Sequence, residues 1–165
     1  MSCHAAVDPY PIPAPHMPAV NATHPVSITL THRLWCALGS GMVVGEMEYG
    51  LDETKPPYAE LAAAIAPLLR EERNSCVADA LAEIALTVPM GAVAELYSLW
   101  ADADYESFLP RPFTPREVTL AEAAIAHVPP RLVADRRELE FPREWRPTLQ
   151  GSTAPRAPTR FRRGR

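Results

Sequence analysis

Residues 156–165, Arg156-Ala-Pro-Thr-Arg160-Phe161-Arg162-Arg163-Gly-Arg165, set five arginines around one phenylalanine. A guanidinium is a planar fork of N–H donors that engages carboxylate or phosphate oxygens in pairs, and an interleaved ring adds a stacking face. Arg156, Arg160, Phe161, Arg162, Arg163 and Arg165 are therefore candidate partner-binding residues. They suit an acidic protein surface or a nucleic-acid backbone. The charge balance favours the first. Residues 1–142 hold nineteen Asp/Glu against nine Lys/Arg, a balance of −10, whereas residues 143–165 balance at +6. The net charge of −4 hides a dipolar chain whose two ends meet different surroundings.

The opposite end offers a second binding segment. Pro9, Pro11, Pro13 and Pro15 alternate with Tyr10, Ile12 and Ala14, and Pro18 and Pro25 follow. Such spacing removes backbone donors and fixes φ, so the segment reads as an extended, polyproline-like arm. An arm of this kind lies along a partner's groove, with Tyr10, Ile12 and Met17 as its anchors.

Elsewhere the reactive residue types lack the spacing that reactions need. Cys3, Cys36 and Cys76 form no CxxC pair, and the five histidines show no H-x₃₋₅-H pair, so neither a metal nor a cofactor is expected. Cys36 and Cys76 stand among apolar residues and read as small core side chains. Gly39-Ser-Gly-Met-Val-Val-Gly45 is glycine-rich but lacks the following Lys-Ser/Thr of a phosphate loop. Asp102, Asp104 and Glu106 read as a solvated acidic loop without the glycine and distal glutamate of a calcium loop. No nucleophile, zinc or dinucleotide motif is present, which points away from an enzyme.

The elements between the two arms read as helices. Leu34, Leu38 and Met42 recur at four-residue spacing and predict a helix from Thr31; Gly39, Gly41 and Gly45 are tolerable where another helix crosses closely, and otherwise break it near Gly39-Ser-Gly41. Tyr58, Leu61, Ile65, Leu68 and Leu69 give a second helical stripe, kinked at Pro67. Val77, Leu81, Ile84 and Val88 predict a third helix over Cys76–Val88, stopped by Pro89 and followed by a fourth over Met90–Trp100. The fourth would be a poor base-reading helix, because it has no basic residue, so an antiparallel helical hairpin is the better expectation. Leu81 and Leu96 should be buried between facing helices. Thr114-Pro-Arg-Glu117 is a capping box with proline at the first helical position and opens a fifth helix to about His127. Ser27–Thr31 alternates as a short strand or helix lead-in, and Arg131–Phe141 as a short helix or strand.

The expected fold is all-α: a small bundle of four to five helices over residues 28–141, a Pro-rich arm over 1–27 and a basic coil tail over 142–165. The longest smooth apolar stretch, Leu38–Val44, is too short to span a bilayer, so no membrane partner is expected. Six prolines before Val26 break any secretory pattern. Together with the odd cysteine count this places the chain in the cytoplasm or within a particle or complex, or in a nucleus if its source is eukaryotic or viral. The leading function is a non-enzymatic structural or accessory subunit of a larger assembly, such as a viral particle or multi-subunit complex. Two alternatives are a nucleic-acid-associated accessory protein working through the arginine tail, and a small helical regulator or adaptor that binds a partner helix.

Overall fold

The computed structural model describes residues 21–73, 79–133 and 136–148. Pro25-Val-Ser-Ile-Thr-Leu-Thr31 alternates β-branched and polar residues, a pattern that suits a pleated, half-buried surface, and it forms strand β1 (Pro25–Thr31). Helix α1 (His32–Tyr49) follows without a loop, and α2 spans Tyr58–Arg73 with Pro67 inside it. Strand β2 (Glu83–Pro89) then returns to β1. The short α3 (Met90–Ala94), α4 (Leu96–Tyr105) and α5 (Pro115–Ile125) complete the body, followed by 3-10 turns at Pro130–Leu132, Arg136–Leu139 and Arg143–Trp145.

The body is therefore mixed α and β, which corrects the all-α expectation. The predicted third helix is where that expectation fails. Its C-terminal half is β2, antiparallel to β1 with Ile84 opposite Leu30, Leu86 opposite Ile28 and Val88 opposite Val26. Ala, Leu and Glu favour helix locally, but period-two spacing of Ile84, Leu86 and Val88 matches the apolar face of β1. Pairing with a distant strand outweighs the local preference. Leu81 consequently lies before the strand and is 45% exposed, whereas Leu96 is fully buried. With strand β2 over its C-terminal half, the predicted hairpin of the third and fourth helices does not form, and the segment Met90–Trp100 divides at Glu95 into α3 and the start of α4.

α1 packs most extensively on α4. At their crossing Gly41 meets α4 so closely that a Cβ there would lie 1.9 Å from the Leu99 carbonyl oxygen. The helix therefore runs unbroken through its glycines, as close crossing allows. Gly50, in the left-handed region at φ 70°, ends it. Buried indoles find partners, as polar groups out of water must. Trp100 Nε1 donates to Leu34 O at 3.1 Å and Trp35 Nε1 to Ile84 O at 3.0 Å. Tyr97 and Trp100 of α4 join Phe113, Phe141 and Trp145 in an aromatic cluster. Phe113 stacks on Trp145 at 5.6 Å between centroids, and Phe141 meets both rings edge-on. Trp145, in the segment read from sequence as coil, is only 2% exposed and accepts a bond from Phe113 N at its carbonyl.

Candidate functional site

The most elaborate polar arrangement is built from the capping box. Thr114 Oγ1 accepts from Glu117 N at 3.2 Å, and Glu117 returns the bond by accepting from Thr114 N at 2.8 Å. The Glu117 carboxylate is fully buried and takes two further partners from the β1–α1 junction. Thr31 Oγ1 and Arg33 Nε each donate to Oε1 at 2.7 Å, and Arg33 Nη2 donates to Oε2. Burial pushes this carboxyl up, but hydrogen bonds from Arg33, Thr114 and Thr31, with the Arg33 charge, outweigh burial and hold it below the ordinary glutamate range. Both oxygens are engaged by protein donors, so the group staples α5 to α1 rather than binding a substrate.

A thiol and an imidazole also meet. Cys36 Sγ lies 3.8 Å from His32 Nδ1, one turn away on α1. A cysteine beside a histidine is the pairing of a thiolate nucleophile, but nucleophiles act from accessible positions. Both side chains are buried, and Cys36 belongs to the core as the sequence predicts.

Of the surface hollows among the described residues, two lie beside elements that the sequence marks for binding or charge. The first, of about 320 Å3, is an apolar groove between the end of β2 and the start of α2. Pro25, Pro56, Pro57 and Pro89 line it with Val88 and Glu60. Ala22 and Thr23 form another wall, at the root of the N-terminal arm. That root is fixed to α3, because Met90 N donates to His24 O and Gly91 N to Ala22 O, both at 2.8 Å. The second hollow, about 410 Å3, lies where the end of α1 and the start of α2 face α4, lined by Tyr49, Tyr58 and Asp102. Asp102 and Asp104 are not in a loop as the sequence reading placed them. Both belong to α4, and Asp104 pairs with Arg111 at 2.8 Å.

The partner-binding residues expected from sequence, Tyr10, Ile12, Met17, Arg156, Arg160, Phe161, Arg162, Arg163 and Arg165, lie outside the described residues, as does Cys76. Tyr49, Pro56, Pro57 and Asp102 were not expected from sequence to line a pocket. Pro56-Pro57 beside Tyr58 was the available signal, since a rigid pair at a helix start makes a fixed wall. Among the described residues no group of three or more His, Cys, Asp or Glu is placed to hold a metal ion, and no helix is long and apolar enough to cross a membrane. No family model, no curated protein and no solved structure matches the chain.

Proposed function

We propose that this protein is a non-enzymatic structural or accessory subunit of a larger assembly, which its body joins by means of its two arms. The observation that carries this reading is the anchored root at Ala22 and His24, beside an apolar, proline-lined groove. A fixed root gives the arm a defined direction of exit. Proline-rich chain has already lost much of its freedom, so its ordering on a neighbour costs little more. The arginine-rich segment supplies charge-assisted contacts to acidic neighbours. The two most organised polar clusters are spent on packing: Glu117 is saturated by its donors and Cys36 is buried. The reading places the protein in the cytoplasm or inside a particle or complex.

Recovery of the tagged full chain from its native source, with mass identification of what copurifies, tests this. A protein partner in fixed stoichiometry is expected. Recovery of the chain alone, or with nucleic acid only, overturns the reading.

A further inference from the structure

The two edges of the β1–β2 sheet differ. α5 flanks β1: Thr31 bonds to Glu117, and Ser27, Ile28 and Thr29 share a hollow with Leu120, Ala124 and His127. The edge of β2 is open. His24 O accepts from Met90 N at 2.8 Å and Ala82 O from His32 N at 2.9 Å, so the paired bonds of the ladder fall at even-numbered residues. Glu83, Ala85 and Thr87 therefore turn their N–H and C=O groups away from β1. Among the described residues no backbone meets those groups, and all three residues are exposed.

Open strands carry devices against chance pairing: lysine, proline, a bulge or an inward charge. β2 keeps unbroken register over seven residues, has no lysine, and has proline only at its last position. Its one charge, Glu83, is taken up by Arg116 at 2.7 and 2.8 Å. The edge also leaves apolar surface uncovered. Ile28 and Leu30 are buried, whereas Leu86 and Ile84 opposite them on β2 are only half-buried. Such an edge is made to be covered.

The outer face of α2 points to the cover. Glu60, Ala63, Pro67 and Arg70 recur at three- and four-residue spacing and are all exposed. Glu60 stands beside Thr87 and Pro89, and α2 returns along α1 with Leu69 against Gly39. It thus runs antiparallel to β2, with Arg70 toward the Glu83 end. Turned about a two-fold axis through Ala85, this face meets itself with opposite charges, Glu60 against Arg70 of the second copy at both ends. The same turn sets Glu83 opposite an uncharged threonine, Thr87, and Ile84 opposite Leu86, so no like charges meet across the strands. Self-complementarity of this kind is what a two-fold contact requires.

We propose that a second copy of this chain pairs antiparallel along β2, joining the two sheets into one, with Glu60–Arg70 ion pairs between the two α2 helices. The contact goes beyond the arm reading and uses neither arm.

Sedimentation velocity of the full chain over a concentration series tests it, and a dimer is expected. Ala85→Pro removes the outward N–H at an edge position where proline costs no ladder bond. The body should keep its circular dichroism spectrum while the dimer is lost. Arg70→Glu should weaken the dimer about tenfold, because both symmetry-related pairs turn repulsive, and adding Glu60→Arg should restore it. If Ala85→Pro disturbs the body, the charge swap decides alone. A parent that stays monomeric at every concentration, a dimer indifferent to either substitution, or a loss that Glu60→Arg does not reverse overturns the proposal. A dimer that needs residues 1–20 or 149–165 but survives Ala85→Pro belongs to the arms and overturns it too. A monomeric parent leaves the arm reading standing.

Discussion

Arg33 grips the carboxylate of Glu117 with both prongs of its guanidinium, across 84 residues of sequence. The pair joins the β1–α1 corner to the first turn of α5, and the same carboxylate completes a helix cap. Removing one partner strands the other in a largely dry site. Glu117→Ala should therefore cost about 3 kcal/mol, at the lower end for broken buried pairs because Arg33 keeps some water contact. Arg33 is 27% exposed at its side chain. The pH dependence follows from the lowered carboxyl value. A depressed native value means that the stabilisation is fully present above the unfolded glutamate value of about 4.3 and is lost as pH falls through the native one. Melting curves of parent and Glu117→Ala should converge as the pH falls below about 4. A gap that stays constant with pH would show that the carboxylate is not ionised in the fold.

Gly41 tests the crossing of α1 and α4. A methyl group there meets backbone, the Leu99 carbonyl, and backbone cannot rotate away as a side chain does. Gly41→Ala should therefore cost about 3 kcal/mol or more by denaturant melting, above the usual range for overpacking. Away from such contacts the same change stabilises a helix by roughly 1 kcal/mol, so even a neutral result would mean that the helices do not approach so closely.

Trp145 ties the last described segment to the core. Its indole fills the aromatic cluster with Phe113, Tyr97, Trp100 and Phe141. Trp145→Ala should cost roughly 3–5 kcal/mol through lost burial plus a cavity. Removal of residues 142–165 should destabilise the body to a similar degree, while removal of 149–165 should not. Differential scanning calorimetry of the two truncations separates these outcomes, and equal melting temperatures would show Trp145 to be dispensable.

The parts of this fold that local chemistry determines are legible in the sequence. Thr114, Pro115 and Glu117 announce the start of α5, because a cap, a fixed φ and a returning carboxylate all act within one turn. Leu34, Leu38 and Met42 place α1 on its core for the same reason of short range. β2 is not legible this way. Residues 79–82, Asp-Ala-Leu-Ala, and the alanine and leucine inside the strand favour helix, and only the distant apolar face of β1 decides otherwise. Nor do Phe141 and Trp145 declare themselves. Trp145 reaches the core from a 3-10 turn and Phe141 from the link before it, and such short pieces carry no repeating pattern to read. The hollow at Asp102 is assembled from α1, α2 and α4, so it exists only once those helices have packed.

In the function we propose, the body holds the fold while the arms hold the neighbours. Residues 21–24 belong to the body, since Ala22 and His24 bond to α3. The decisive cuts therefore remove residues 1–20 and 149–165, each from an otherwise full chain. Parallel melting curves and copurification from the native source are the measurement. Both deletions should melt with the parent and recover markedly less partner. The part lost with 149–165 should also fade for the full chain as salt rises, because the screening length falls from about 10 Å at 0.1 M to about 3 Å at 1 M. Deletion variants that recover the same partners at parental yield would contradict the account.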